Sequence, residues 1–295
     1  MSTASQIITR ASNQLLSGTI EERNKVSNSL STSDTSLTLL YDLGGIRAGA
    51  VIEVDSELMY VWDAASGTKT ITVDRGYNGT TVATHAANAI AKINPRFPRS
   101  MMLEALKNDI IDLSSPVNGL YATVVRSVAY NGSDRMIEMP SITPTVFEVM
   151  DIRLEYLNSD HPSLTRVRHE RNVQLVTANG PRDVLVFDES VMAGTVWYTT
   201  KEEFSPLTSE ATELSTLSIP SNLEDILELG TMIRCMSSRE IKRNFIESQG
   251  DTRRSDEVPP GSTSNSINNL VRLRRDRIIA EAARLGRQYP LKIRR

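Results

Sequence analysis

Residues 44–102 read GGIRAGAVIEVDSELMYVWDAASGTKTITVDRGYNGTTVATHAANAIAKINPRFPRSMM, and they carry the strongest local signals in the 295-residue chain. Val51, Val54, Leu58, Tyr60 and Trp62 lie in a β-rich run interrupted by Asp55-Ser56. Thr70, Ile71, Thr72 and Val73 make a second run after the turn Ala65-Ser66-Gly67-Thr68. β-Branched and aromatic side chains suit a pleated, half-buried surface, so short runs of them between turn signals predict antiparallel strands joined by tight loops. Asp74-Arg75-Gly76-Tyr77-Asn78-Gly79-Thr80-Thr81 follows as a loop. Gly76 and Gly79 supply positive backbone angles there, and Asn78-Gly79 is a turn dipeptide. Together these predict a small β-module over 37–93. Its alanine-rich part, VATHAANAIA over 82–91, reads as either a closing strand or a helix.

Beyond the module, Pro95 and Pro98 stop one element and open another, since proline is tolerated in the first helical turn. Met102, Leu103, Leu106, Ile110 and Leu113 recur at three- and four-residue spacing, which predicts a helix ending at Ser114-Ser115-Pro116. From 120 to 216 the pattern changes to strand-like runs such as YATVV at 121–125, FEVMDIRLEY at 147–156, NVQLV at 172–176, VLVF at 184–187 and VWYT at 196–199. Runs at this spacing predict an antiparallel sandwich, inserted between helices.

Helix resumes at Ser221, where Ser221-Asn222-Leu223-Glu224 reads as a capping box. Leu223, Ile226, Leu227 and Ile233 form one apolar stripe, broadened by Leu229, Met232 and Met236. So broad a stripe predicts burial on more than one side, and it marks Leu223, Ile226, Leu227, Met232, Ile233 and Met236 as a candidate subunit interface. Gly230 marks a point of weakness, and 251–266 reads as a linker. A last helix spans 267–288, Pro290 stops it, and 290–295 is an extended tail of alternating apolar and basic residues. Before the module, 5–26 contains a helix interrupted by Gly18-Thr19, and Ser27 to Ser36 is a polar connector.

The expected fold class is therefore α+β. A helical core over 94–119 and 217–289 carries the small N-terminal β-module (37–93) and an inserted antiparallel β-sandwich (120–216). An N-terminal helix and polar connector (1–36), a basic C-terminal helix and an extended docking tail (290–295) complete it.

Hydrophobic residues make up 39 % of the chain and charged residues 23 %, a globular composition. One cysteine, Cys235, excludes an internal disulfide framework. No signal-peptide core or membrane-length apolar run is present, so the sequence reads as belonging to an aqueous, cytoplasmic setting. The net charge of −3 is unevenly spread. Residues 267–295 hold nine Arg or Lys against two acids, a local +7, which leaves −10 for the rest. An acidic body with a basic end points to a dedicated partner for that end, either an acidic protein surface or nucleic acid. The bland alternative is a solvated helix face.

Candidate chemistry is sparse. His85, His161 and His169 are the only histidines, and no second cysteine or helical histidine pair joins them in a zinc pattern. His85 reads as fixing the module's loop by hydrogen bonding, and Cys235 as a packing residue. Asp151, Glu155, Asp183 and Asp188 are the acids from which a glycosidase pair could be drawn, with solvated strand acids as the duller reading. The Gly76–Thr81 loop lacks the lysine of a phosphate-binding loop, so no cofactor is called for. The basic end holds Tyr289 as its only ring, poor provision for base stacking. As a protein-docking tail it is better composed: Leu291 and Ile293 fill pockets while Arg294 and Arg295 pair with acids.

The segment from Ala48 to Asn94, with its RGYNGTT loop and His85, resembles a small β-module common in virion proteins of tailed bacteriophages. Asn94-Pro95-Arg96-Phe97-Pro98-Arg99 leading into a helix is similar to neck proteins that join the portal to the tail. The C-terminal EAARLGRQYPLKIRR is similar to their basic ends. The resemblance covers the start and the end of the chain, and the middle is read without it. It implies a structural, non-enzymatic head-to-tail adaptor of the virion neck or tail, present in host cytoplasm during assembly. Its implied partners are the portal protein, the next tail component (nozzle, stopper or tail tube) and further copies of itself in a dodecameric ring. Genome DNA would pass through the channel without sequence-specific binding, and no membrane is involved. Portal docking is expected at Tyr289, Pro290, Leu291, Lys292, Ile293, Arg294 and Arg295. Two other readings stay open: a tail or baseplate protein whose sandwich binds a receptor or glycan, and a glycan hydrolase.

Overall fold

The computed structural model describes residues 2–17, 21–65, 67–139, 145–155, 164, 166–174, 181–188, 191–247 and 262–288. It falls into two compact units. One comprises Ala4–Leu106 with Glu228–Val271; the other comprises Met1–Thr3, Lys107–Leu227 and Arg272–Arg295.

In the first unit six short strands form one antiparallel sheet: β1 (Arg23–Lys25), β2 (Ser36–Thr38), β3 (Val51–Val54), β4 (Glu57–Ala65), β5 (Thr70–Asp74) and β6 (Ile90–Ile93). Their order is β1-β6-β3-β4-β5-β2, and the sheet curls into a half-barrel. Its outermost strands meet just beyond their ends. Val26 bridges Leu39, the Ser27 N–H donates to the Thr38 carbonyl at 2.8 Å, and the Leu40 N–H donates to the Lys25 carbonyl at 2.8 Å. Alternation drives the curl: Leu37, Ile52, Val54, Met59, Val61, Ile71, Val73 and Ala91 all turn to the concave side and bury against one another. Each Leu, Ile, Val or Met side chain so buried contributes roughly 1.5–3 kcal/mol. The 82–89 stretch crosses as irregular chain before β6, so its alanines supply no helix.

The same unit holds α1 (Ala4–Leu15), which buries Ala4, Ile7, Ile8 and Ala11 at helical spacing. It also holds the start of α2 (Arg99–Leu113). Glu53, 1 % exposed, accepts the first N–H of α2 from Arg99, so an anion sits at the positive end of the helix dipole. Burial holds the Glu53 pKa above the usual carboxylate range despite Lys92 Nζ at 3.2 Å.

In the second unit two three-stranded antiparallel sheets share a core. One has the order β10-β11-β8 and the other β7-β12-β9. Their strands are β7 (Ala122–Tyr130), β8 (Met136–Glu138), β9 (Val146–Glu155), β10 (Val167–Gln174), β11 (Pro181–Phe187) and β12 (Gly194–Glu202). Tyr130, Ile137, Val149, Ile152, Leu154, Leu185, Phe187, Val196 and Tyr198 form the shared cluster, with the Tyr130 and Phe187 rings 5.0 Å apart.

The expectation of an α+β chain built around a helical core is corrected by this architecture. Among the described residues the chain is mostly β: twelve strands in three sheets against four helices, with 34 % of residues in strands and 33 % in helices. Strand content exceeds what the sequence pattern predicts in part because β1, β2 and β8 are three residues long with one buried side chain each, too short to show a period.

The longer helices start differently from their sequence signals. α3 (Glu224–Glu247) follows a 3-10 turn at Ser221–Leu223, so Ser221 is not the residue before the helix. The Glu224 carboxylate instead accepts from Ser2, from its N–H at 3.2 Å and its hydroxyl at 2.7 Å. α3 runs unbroken through Gly230, which is buried. α4 (Ser262–Gln288) begins earlier than the apolar pattern suggested. It places Ile278, Glu281 and Leu285 on its buried side. Among the described residues no helix is long and apolar enough to cross a membrane.

Candidate functional site

The most elaborate polar arrangement lies inside the half-barrel, where the 74–81 loop is clamped from within. The Glu57 side chain, at the first position of β4, is 1 % exposed. Arg75 donates to both of its oxygens, Nε to Oε1 at 2.7 Å and Nη2 to Oε2 at 2.8 Å. The backbone N–H groups of Gly76 (3.1 Å) and Ala83 (2.9 Å) also donate to it, and His85 Nε2 lies 2.9 Å from Oε2. The other His85 nitrogen, Nδ1, is 2.8 Å from Asp55 Oδ2. Arg75 spends its remaining donors on the carbonyls of Ser31 (2.7 Å), Asp34 (3.1 Å) and Ala83 (2.5 Å). The backbone of His85 pairs with Leu30 in both directions at 2.9 Å.

One bidentate guanidinium–carboxylate pair therefore ties together the β3–β4 turn, the polar 31–34 segment, the glycine loop and the 83–85 crossing. Burial opposes the Glu57 charge, but the hydrogen bonds from Arg75, Ala83, His85 and Gly76 overcome it and hold its pKa at about 2. An Asp–His–Glu row resembles an acid–base relay. Each oxygen of Glu57 accepts from the chain itself, so the row ties the loop to the start of β4. Gly76, at φ +66°, is required in that loop, since a Cβ would sit 2.9 Å from the Thr80 carbonyl oxygen.

The clamp has an outward consequence. Thr80 Oγ1 donates to the Tyr77 carbonyl at 3.0 Å and accepts the Leu58 N–H at 3.0 Å, which pins the Tyr77 turn to β4. Tyr77 then stands beside Tyr60, with ring centroids 5.4 Å apart, and Tyr60 meets the Trp62 ring edge-on at 4.8 Å. Trp62 is 62 % exposed.

Other expected residues take quieter places. Leu223, Ile226, Leu227 and Met232 are buried within the single chain, and Ile233 and Met236 are half-buried. Of that set, only the last two keep appreciable surface for a neighbouring subunit. Tyr289, Pro290, Leu291, Lys292, Ile293, Arg294 and Arg295 lie outside the described residues, as does His161. His169 faces Asp183 at 3.2 Å. Asp151 pairs with Arg153 at 2.7 Å, Asp188 with Arg168 at 3.1 Å, and Glu155 accepts from the Trp197 indole at 2.7 Å. Burial pushes the Cys235 thiol up to about 11, where little thiolate forms at neutral pH. Among the described residues no group of three or more His, Cys, Asp or Glu is placed to hold a metal ion.

The basic helix divides its arginines. Arg274 pairs with Asp109 at 2.8 Å, Arg277 with Asp225 at 2.7 Å, and Arg284 with Glu281 at 2.7 Å. Arg272, Arg275 and Arg287 are exposed and make no side-chain pairing among the described residues. Val271, Leu273 and Ile279 are exposed beside them, at 45 %, 51 % and 56 %.

The sequence carries no direct sign that Asp55 and Glu57 hold His85, or that Arg75 joins them through Glu57. The available signal was an Asp-x-Glu pair opening an otherwise apolar strand. No family model matches the chain, and no curated protein matches it.

Proposed function

We propose that this chain is a head-to-tail adaptor of a tailed bacteriophage, a structural virion protein that docks on the portal ring and extends the DNA channel toward the tail. The observation that carries this reading is the open face of α4. Val271, Leu273 and Ile279 are exposed there among Arg272, Arg275 and Arg287, which have no side-chain partner among the described residues. The sequence that follows, 290–295, has the same apolar and basic composition. Exposed aliphatic residues interleaved with arginine suit burial against an acidic protein surface, where apolar contact gives affinity and charge sets register. The RGYNGTT module, its Asn-Pro-Arg-Phe-Pro-Arg exit and the basic end support the same reading. The acidic remainder suits a channel component, because like charge lets DNA phosphates slide past. In this role the chain assembles as a homo-oligomeric ring, dodecameric to match the portal, and hands on to the next tail component.

The test is co-sedimentation of the purified chain with the portal ring of the same virus. The full chain should pellet with the ring, and a variant lacking 290–295 should stay in the supernatant with its circular dichroism unchanged. Binding that survives the deletion would remove the docking tail, and a full chain that never pellets with the ring would overturn the adaptor reading.

A further inference from the structure

The Arg75 clamp fixes a loop whose other side is solvent, and what it presents there is a notch of aromatic rings with bare carboxylates. Tyr60 is held on both sides, opposite Val51 of β3 and opposite Asp74 of β5. A β-bulge follows: Val61 pairs with Val73 but Asp63 pairs with Thr72, leaving Trp62 as the extra residue. Val61, Ile71 and Val73 face the core, so the bulge puts Trp62 and Asp63 together on the convex face, beside Thr72 and Asp74. Trp62 is the most exposed ring of the half-barrel. The carboxylates of Asp63 and Asp74 have no partner among the described residues.

We propose that this notch is a docking site for an arginine- or lysine-bearing extended segment of a partner protein. The charge is complementary: two unpaired carboxylates flank ring faces whose quadrupoles attract cations, and a guanidinium can stack on a ring while it pairs with an acid. The ring geometry favours a small planar cation over a sugar. The planes of Tyr60 and Trp62 stand at 69° and those of Tyr60 and Tyr77 at 37°, so the rings enclose a corner. A pyranose would stack on a flat strip. The site is also built before its ligand arrives. Two rings sit on a strand paired on both edges, and the third sits on a loop held by the buried Arg75–Glu57 pair, so little ordering entropy is lost on binding. Nothing in this rests on the adaptor reading, because the notch belongs to the half-barrel alone.

The test uses the full chain labelled with 15N at its two tryptophans, Trp62 and Trp197, whose indole N–H signals report separately. The probe is a short peptide alternating glycine and arginine, with citrulline replacing arginine in a neutral control. The arginine peptide should shift the Trp62 signal saturably and leave Trp197 in place, and added salt should weaken the effect. Trp62→Ala should weaken binding about fivefold or more, read by peptide anisotropy. Asp63→Asn with Asp74→Asn should do the same while leaving the rings intact, which keeps the test decisive if a ring substitution disturbs the fold. A Trp62 signal indifferent to the arginine peptide would overturn the assignment. So would equal binding of the citrulline peptide, or a shift produced by a neutral cello-oligosaccharide in place of the peptide.

Discussion

The half-barrel and the paired sheets are built from similar aliphatic strands but place most of their charge differently. In the half-barrel the Arg75 and Glu57 side chains are 6 % and 1 % exposed, and their pairing holds several chain segments at once. In the paired sheets most ion pairs line open rims, as with Arg168 and Asp188 at 60 % and 44 % exposed, or Arg153 and Asp151 at 55 % and 19 %. The exception is Glu202, 1 % exposed, which holds Arg126 across β7 and β12. A rim pair links two side chains that water would solvate equally well. A buried pair whose every oxygen is claimed selects one loop conformation and penalises the alternatives.

The largest expected effect separates the two regions directly. Arg75→Ala leaves Glu57 charged in the interior and should destabilise the chain by about 3–5 kcal/mol, read from urea unfolding. Arg75→Lys should recover only part of that, since an ammonium cannot bridge both oxygens. If Arg75→Ala costs no more than a rim substitution, the distinction between the regions fails.

Acid should find the same weak point. The Glu57 pKa is depressed from 4.5 to about 2 on folding, so its stabilising contribution is complete above 4.5 and is lost as pH falls toward 2. Unfolding midpoints measured across that window should drop, and Glu57→Gln, already weakened at neutral pH, should show a shallower drop. Parallel pH profiles for the two proteins would contradict the clamp.

Smaller effects sharpen the contrast from the other side. Arg168→Ala on the rim of the paired sheets should cost less than about 1 kcal/mol by the same denaturation assay. Tyr198→Phe should be neutral or slightly stabilising, within about 1 kcal/mol. The Tyr198 hydroxyl is buried with no hydrogen-bond partner among the described residues, so removing it removes a desolvation cost. A loss well beyond that figure would reveal a polar network around the Tyr198 hydroxyl.

Much of the local structure was legible. The two-residue break at Asp55-Ser56 is the β3–β4 turn, the Thr70 run is β5, and the Met102-to-Leu113 spacing is α2. In each case the side-chain period survives over at least four residues. β1 and β2 were not legible because their pairing is dictated by distant strands and not by their own three residues. The apolar stripe at Leu223, Ile226 and Leu227 announced burial, but periodicity does not say which chain supplies the cover. A charge of +7 over 267–295 overstated what is free, because Arg274, Arg277 and Arg284 reach acids that lie far off in sequence or one turn away. The clamp escaped for a similar reason: Asp55, Glu57, Arg75 and His85 converge only once the sheet has curled. The bulge that turns Trp62 outward is a register effect with no composition of its own.

Imaging the purified chain mixed with its portal ring by electron microscopy tests the assembly role most directly. An adaptor adds a layer to one face of the ring, with the portal's own rotational symmetry and one copy for each portal subunit. Portal rings that stay bare at saturating concentration, while the chain remains folded and monomeric beside them, would contradict it.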